Sequence, residues 1–350
     1  VYMSLDQRTS TEDLFLKIAR LIEESRARIA TSVNLAEVYT KYRIGQYIFE
    51  EELRGEERAQ YGKQVLQSLS AQLTVRFGMG WSYSNLRQIR QFYLTYGNLT
   101  ATGCQIEDDT PHFTLSWSHY LLLMRVDNLD ARKFYEIECA QQQWSKRQLS
   151  RQIGSCLYER LALSRDKEGV MRLAHEGQVI SKPEDVIKDP ITLEFLGLKS
   201  DAIYSESKLE HAIIGKMQQF LLELGKGFLF EARQKRFTFE EKHFYVDLVF
   251  YNRLLRCYVL IDLKIGELSH QDLGQMQMYV NYYDRYVRQA FESPTIGILL
   301  CENKNDALVE LTLPREANIY ASAYQLYLPD KALLQEKVRE WIAEFEEASE

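Results

Sequence analysis

The first third of the sequence lacks residues that interrupt helices. None of the six prolines precedes Pro111, and proline breaks or kinks the interior of a helix. No apolar run approaches the roughly 18 residues of a transmembrane helix, and the acidic, polar start lacks the hydrophobic region of a signal peptide. We therefore expect long N-terminal helices in a cytoplasmic protein that does not contact membranes.

Motifs for metal-binding cysteines and for nucleotide binding are also missing. The five cysteines lie far apart, and neither a CxxC pair nor an HExxH segment occurs. A zinc ribbon, a thioredoxin-like site and a disulfide scaffold are therefore disfavoured. The GMG segment at 78–80 is followed by Trp81 and Ser82, which does not match a dinucleotide-binding fingerprint, and there is no Walker-type phosphate loop. ATP- and NAD-dependent activities are not indicated.

The length and composition are those of a folded protein with more than one domain. At roughly 150 residues per domain, 350 residues predict two. Hydrophobic residues make up 45% and charged residues 27%, which excludes global disorder. Periodicity fades near Pro183 and Pro190. The pattern predicts an α-helical domain over 10–172, a boundary region over 173–204 and a mixed domain over 205–350.

A basic window in the helical part suggests contact with nucleic acid, although the net charge is −7. No acid occurs between Glu57 and Glu107. Helices predicted over 64–77 and from Ser82 or Ser84 to Gly97, joined by a short glycine turn, outline a helix-turn-helix. The residues predicted to contact nucleic acid are Lys63, Arg76, Arg87 and Arg90. A solvated basic face or a dimerisation helix is the alternative.

The second half changes from helical to mixed periodicity. A helix over 206–224 precedes three segments rich in aromatic and β-branched residues. A further helix, two more apolar segments and a C-terminal helix follow. The predicted elements are strands at 228–239, 243–251, 256–264, 295–301 and 319–328 and helices at 270–286 and 330–347. This order predicts a mixed α/β sandwich.

Two aspartates and a lysine fall on adjacent predicted strands. A turn at 252–255 would place Asp247 opposite Leu260, on the same face as Asp262 and Lys264. Two carboxylates about 4 Å apart repel by about 4 kcal/mol at an effective dielectric near 20, so such a pair holds a proton or binds a cation. Oxygen ligands on rigid strands suit Mg²⁺ or Mn²⁺. The alternative is a plain Asp–Lys ion pair at a strand end.

Two helices offer further polar side chains. Glu210 is aligned with an apolar helix stripe, where a carboxylate is costly to bury unless it is paired or serves a site. The alternative is an acid favoured by the helix dipole. Gln275 and Tyr279 lie four residues apart on one helix face, for which a solvated face is the alternative.

Long segments of the chain resemble a known family. In the second half they are FYVDLVFYNRLLRCYVLIDLKIG, GQMQMYVNYYD and IGILLCENKN, and in the first half LSWSHYLLLMRV, FYEIECAQQQWSKRQL and LYERLALSRDKEGV. From about residue 15 to 328 the chain is similar to the YhcG-type nuclease family of the PD-(D/E)xK superfamily. The resemblance implies a helical N-terminal domain followed by a restriction-endonuclease-like α/β nuclease domain.

The resemblance also implies roles for individual residues. Asp247 matches the first metal-binding acid, Asp262 and Lys264 match the (D/E)xK element, and Val246 stands where the motif's proline would be. Glu210 matches an acid on the preceding helix, and Gln275 and Tyr279 match a QxxxY pattern. The backbone carbonyl of Leu263 is the further metal ligand expected.

The implied activity is Mg²⁺- or Mn²⁺-dependent hydrolysis of DNA, with RNA a weaker option. Lys264 would position the attacking water, and its pKa would fall beside a bound cation. The alternative function is a nucleic-acid-binding or scaffold protein whose nuclease fold is inactive or depends on a partner. Further partners implied are a second copy of the chain or other proteins of a nuclease or defence system.

Overall fold

A computed structural model describes residues 5–54, 59–97, 112–163, 167–198, 204–239, 241–314 and 316–347. The chain divides between Asn128 and Leu129 into two compact units, called here the N-terminal and the C-terminal unit. Among the described residues, no helix combines the length and the apolar character needed to cross a bilayer.

The N-terminal unit is helical, as predicted. Its helices are α1 (Leu5–Arg54), α2 (Ala59–Phe77), α3 (Tyr83–Gly97) and α4 (Trp117–Leu123). α1 and α3 cross closely at Gly45, where an added Cβ would lie 2.5 Å from the carbonyl oxygen of Ile89. The core beside this crossing consists of aromatic rings, including Tyr42, Phe92 and Phe113.

Four helices that the sequence pattern assigned to the first domain pack in the C-terminal unit. They are α5 (Leu129–Gln142), α6 (Lys146–Gly154), α7 (Leu157–Leu163) and α8 (Lys167–Glu176). The compact units thus divide before the predicted boundary at 173–204. The physical reason is a set of ion pairs: Glu223, in the second half of the chain, binds Arg151 at 2.9 Å and Arg160 at 2.7 Å. Burial alone would raise the pKa of Glu223, but Arg160, Lys188 and Arg151 lower it to about 2.

The rest of the C-terminal unit is a mixed sheet between helices, which confirms the predicted fold class. The strands are β1 (Ile191–Thr192), β2 (Phe228–Phe239), β3 (Lys242–Asn252), β4 (Cys257–Glu267), β5 (Ile296–Asn303) and β6 (Ile319–Gln325). The helices are α9 (Glu206–Gly215), α10 (Met217–Leu224), α11 (His270–Tyr282), α12 (Asp306–Thr312) and α13 (Lys331–Glu347). The order across the sheet is β1-β6-β5-β4-β3-β2, with β2, β3 and β4 antiparallel and β4, β5, β6 and β1 parallel.

Both faces of the sheet are covered. Leu209 and Ile213 of α9 and Phe220 of α10 pack on one face. Met276 and Tyr279 of α11 pack on the other. The helix predicted over 206–224 is two helices that meet at Lys216. On the opposite face α11 approaches β5 closely, since a Cβ on Gly297 would lie 2.7 Å from the Met276 side chain.

The hairpin between β3 and β4 has a different register from the predicted one. Its loop comprises residues 253–256, and Leu248 pairs with Ile261. Continuing that register places Asp247 opposite Asp262 rather than Leu260. The predicted turn, in which Asn252 pairs with Leu255, is therefore wrong: Asn252 pairs with Cys257, and the loop is two residues longer. Because this displaces the partner strand by two positions, the face assigned to Asp262 does not change.

Candidate active site

The two aspartates lie where neighbouring strands separate. Leu248–Ile261 is the last pair of the β3–β4 ladder, and Asp247 and Asp262 are the next residue on each strand. Oδ2 of Asp247 accepts a hydrogen bond of 2.8 Å from the backbone N–H of Leu263. Because the ladder ends here, the backbone of β3 no longer pairs with the N–H of Leu263. The Asp247 carboxylate accepts this hydrogen bond instead, which holds the side chain beside β4.

Asp262 is a buried acid with one close cation. It is 2% exposed, and its Oδ2 lies 2.9 Å from Nζ of Lys264. Burial and then the negative charge of Asp247 raise the pKa of Asp262 to about 7, although Lys264 opposes this shift. The predicted pairing of two carboxylates and an ammonium is thus present at this end of β4.

Lys264 lies between two acids. Its Nζ is 3.6 Å from Oδ1 of Asp272 at the start of α11, in addition to its contact with Asp262. Burial acts to lower the pKa of Lys264, but the charge and hydrogen bond of Asp262, together with the charges of Glu206 and Asp272, outweigh it, and the pKa lies above its ordinary value. The structure therefore differs from the lowered pKa expected from the sequence, because that expectation assumed a cation beside the lysine.

A glutamine links Asp247 to the helix acid. Glu210 is 4% exposed on α9, and its Oε2 accepts a bond of 2.8 Å from Nε2 of Gln234 on β2. The same amide nitrogen donates to Oδ1 of Asp247, also at 2.8 Å. The predicted three acids are therefore connected in space, and Gln234 is the connection.

Sequence reasoning missed Gln234. The pairs Arg233–Leu248 and Lys235–Val246 place it opposite Asp247 in the β2–β3 ladder, and its φ is +45°. A non-glycine residue with positive φ inside a strand is strained, and such strain persists only where the surroundings enforce it. In the sequence, Gln234 is a polar residue within a predicted strand, and such residues are too common to identify one functional position.

Gln275 and Tyr279 form a pair beside these acids. The Gln275 amide donates to the Tyr279 hydroxyl, and Tyr279 is 1% exposed in the core between α11 and the sheet. Burial raises the pKa of Tyr279, and the charges of Asp262 and Asp247 add to the rise. Its burial excludes the alternative of a solvated face for Tyr279.

The carboxylate pair fits a divalent cation. Oδ2 of Asp262 and Oε1 of Glu210 are buried without a hydrogen bond, although Lys264 lies within ion-pair distance of the first and Arg233 lies 3.3 Å from the second. Oxygen atoms of this kind are the ligands of Mg²⁺, which keeps several waters and needs few protein ligands. Across the described ranges, no group of three or more His, Cys, Asp or Glu residues is arranged to hold a metal ion. Glu210 therefore lies outside the immediate carboxylate pair.

The four basic residues predicted to contact nucleic acid do not share one environment. Lys63, Arg76 and Arg87 are exposed on α2 and α3. Arg90 is instead bound to Glu52 of α1 through its Nε atom. The positive charge of the acid-free window is thus partly neutralised by Glu52, which lies outside it. The same ion pair of Arg90 holds α3 against α1.

Comparisons with known proteins agree with this geometry. The model of the YhcG PDDEXK nuclease domain matches residues 184–339, and the DUF1016 N-terminal domain matches residues 17–160. The C-terminal unit therefore carries a nuclease domain of the PD-(D/E)xK class. The Escherichia coli (strain K12) protein named "Putative nuclease YhcG" is 39% identical over 350 aligned positions, which cover 92% of each chain. The chain belongs to the YhcG nuclease family.

A solved structure adds little to this conclusion. The crystal structure of a repair endonuclease from Pyrococcus abyssi is 18% identical, covers 38% of this chain and 50% of that chain, and has a TM-score of 0.24. Similarity at this level carries no argument about this protein.

Proposed function

We propose that the protein hydrolyses phosphodiester bonds of DNA with Mg²⁺ or Mn²⁺. The observation that carries this proposal is the pair of half-buried Asp247 and buried Asp262, held at the point where β3 and β4 separate, with Lys264 against Asp262. Two facing carboxylates with an unsatisfied oxygen destabilise the fold on their own, and a bound cation removes that cost.

The residues of the site have different proposed roles. Asp247 and Asp262 would hold the cation together with the backbone carbonyl of Leu263, and Glu210 would act on it from further away. When bound, such a cation polarises a phosphate and lowers the pKa of a water. Lys264, fixed between Asp262 and Asp272, supplies positive charge where negative charge develops on the phosphate. Gln275 and Tyr279 support the α11 side of the site.

The N-terminal unit would supply part of the affinity for DNA. Lys63, Arg76 and Arg87 are exposed cations, and the net charge of the whole chain is −7. Binding to phosphate responds to the local field rather than to the net charge, so a basic surface on an acidic protein is sufficient. The sequence shows no aromatic RNA-recognition signature, which favours DNA over RNA.

A cleavage assay with a matched control tests the activity. Purified protein is incubated with plasmid, linear, branched and single-stranded DNA in Mg²⁺, Mn²⁺ or EDTA. We expect cleavage only with metal, and none from the Asp262→Ala/Lys264→Ala double variant. The control is Asp306→Ala/Lys304→Ala, which removes another Asp–Lys pair, 2.7 Å apart, in the same unit. It should cleave like the unmodified protein.

Two results would contradict the proposal. Cleavage that persists in the Asp262→Ala/Lys264→Ala variant would place the chemistry elsewhere. DNA binding without cleavage of any substrate in either metal would support the alternative of a binding or scaffold protein.

A further inference from the structure

Beside the candidate active site, a cavity of about 400 Å³ opens between the end of β2 and the outer side of α11. It is lined by aromatic rings, two side-chain amides and one arginine, chiefly Phe239, Gln277, Asn281, Tyr282, Arg285 and Tyr286. Its volume lies in the range of ligand-binding pockets, about 300–1,000 Å³. None of these residues belongs to the carboxylate site.

The cavity is connected to the candidate active site by packed rings. Tyr279 packs edge-on against Phe237 with ring centroids 5.5 Å apart. Phe237 in turn stacks on Tyr282 at 4.1 Å, and Tyr282 contacts Tyr286 at 5.3 Å. The row of rings ends at Tyr286, which is 66% exposed, and Phe239 at the rim is 48% exposed. Two large rings therefore present apolar surface to water at one opening.

Polar groups in the cavity are partly unsatisfied. Nε2 of Gln277 donates to Oδ1 of Asn281 at 3.2 Å, while Oε1 of Gln277 is buried without a hydrogen bond. A ligand with a flat apolar face and hydrogen-bonding groups on its edge would match these rings and side-chain amides.

Beside the exposed acid Glu241 of the β2–β3 turn, two cations lie near the opening. Arg285 lines it, and Lys242 pairs with Phe239 across the β2–β3 hairpin. Both side chains are exposed. A flat ring with edge donors, attached to an anion, is the chemistry of a nucleobase on its phosphate chain, and bases stack on aromatic side chains in proteins that bind single strands.

We infer that this cavity binds an unpaired nucleobase of the substrate strand, so that the protein prefers single-stranded or locally unpaired DNA. The inference rests on the proposed function, because it takes the ligand to be the nucleic acid cleaved at the neighbouring carboxylates. A base inside a duplex cannot reach the cavity without leaving its stack and its pairing partner, which is unfavourable.

Binding in EDTA tests the inference without cleavage. The full chain is titrated against three labelled probes: a 20-nucleotide thymidine strand, the same strand with abasic sites in its centre, and a blunt 20-base-pair duplex. Stacking contributes about 1–3 kcal/mol per base, or roughly 5- to 150-fold in affinity. We expect Phe239→Ala/Tyr286→Ala to bind the intact strand at least 10-fold more weakly, and to bind the abasic strand and the duplex within about threefold of the unmodified protein.

Two control variants keep the test specific. Phe291→Ala/Tyr327→Ala removes two other exposed rings of the same unit, 69% and 57% exposed, and should change none of the three affinities. Tyr286→Phe keeps the ring and should retain strand binding. An equal loss for strand and duplex, or no loss at all, overturns the inference. If the strand preference holds while the unmodified protein cleaves nothing in Mg²⁺ or Mn²⁺, only the proposed function fails.

Discussion

Gln234 donates a hydrogen bond of 2.8 Å from its side-chain amide to Oδ1 of Asp247. The bond orients an acid proposed to bind metal, and the same nitrogen reaches Glu210. Groups that orient metal ligands in this way typically change metal affinity or activity by 10- to 100-fold when removed.

We therefore expect Gln234→Ala to lower cleavage by about 10- to 100-fold at low Mn²⁺. Most of the loss should be recovered at high Mn²⁺, because the ligands themselves remain. The measurement is the initial cleavage rate against metal concentration. Gln218→Ala, which removes an exposed glutamine of α10, is the control. A loss that no metal concentration relieves would mean that Gln234 has a purely structural role.

Removing the charge of Asp262 should stabilise the protein while abolishing its activity. Asp262 is buried opposite another carboxylate, and burial disfavours its charged form. In EDTA at pH 8 we expect Asp262→Asn to raise the melting temperature by at least about 2 °C, the shift that 1 kcal/mol gives in a chain of this size.

With added Mg²⁺, the unmodified protein should become more stable than the Asp262→Asn variant. A ligand that binds only the folded state raises the melting temperature, so the unmodified protein should gain stability with metal and Asp262→Asn should not. If Asp262→Asn is less stable in EDTA than the unmodified protein, the charge of Asp262 does not destabilise the fold, and this prediction is wrong.

Lys264 should act through its charge. It lies 2.9 Å from Asp262, and we expect Lys264→Met to lower kcat by about 100- to 1,000-fold, as loss of one transition-state donor does elsewhere. Lys264→Arg keeps the charge and cannot deprotonate, so it should retain more activity than Lys264→Met. Equal inactivity of the two variants, with metal-induced stabilisation intact in both, would instead favour a general-base role.

The Glu223 ion pairs should stabilise the C-terminal unit in a pH-dependent way. Glu223 is fully buried between Arg151 and Arg160, and removing one partner of a buried pair costs about 3–5 kcal/mol. Glu223→Gln should therefore lower the melting temperature markedly at pH 7, whereas Glu310→Gln on the surface should not.

The sign of the pH effect follows from the lowered pKa. The arginines and Lys188 hold the pKa of Glu223 at about 2 in the folded chain, against an ordinary value of 4.5. The stabilisation is complete above 4.5 and is lost as the pH falls toward 2. The difference in unfolding free energy between the two proteins should shrink over that range. A difference that stays constant from pH 6 to pH 3 would show that the carboxylate charge is not its source.

The exposed basic residues of the N-terminal unit should contribute to DNA binding, whereas the ion-paired one should contribute to stability. Arg87 and Lys63 are exposed, whereas Arg90 is bound to Glu52. Removing each phosphate contact flattens the slope of log affinity against log salt by about 0.9. We expect Lys63→Ala/Arg87→Ala to flatten it by one to two units, and Arg90→Ala to lower the melting temperature instead. Arg253→Ala, in the β3–β4 loop, serves as the control, and an unchanged slope in the double variant would move the DNA contact elsewhere.

Much of the C-terminal fold could be predicted because its strands carry long apolar and aromatic runs. The predicted strand at 228–239 coincides with β2, and the segment around Asp262 lies in a strand covered on both faces. The acids could be found because the segments that carry them resemble the PD-(D/E)xK motif, since an Asp-x-Lys triplet alone is more often a plain ion pair. The register could not be fixed, because the loop depends on hydrogen bonds from the backbone of Leu254 and Leu255 to the Asn252 side chain and on a positive φ at Arg256.

Other features depend on contacts between distant residues. Gln234 is significant only because folding brings it beside Asp247 and Glu210. Arg90 appears unopposed in the sequence because Glu52 lies 38 positions away. Likewise, the placement of α5–α8 follows from Arg160 meeting Glu223, 63 positions later. Local patterns predict elements, whereas partners across such separations need the structure.

β2 is one of the two outer strands of the sheet, and exposed outer strands invite pairing with other chains. Its ladder with β3 shifts register between Phe230 and Ala232, and Gln234, two residues after Ala232, has a left-handed backbone. Such irregularities bend and twist a strand and interrupt its regular row of hydrogen-bonding groups. We therefore expect the distorted segment that carries Gln234 also to disfavour pairing of β2 with another chain. A variant that straightened β2 would lose both properties together.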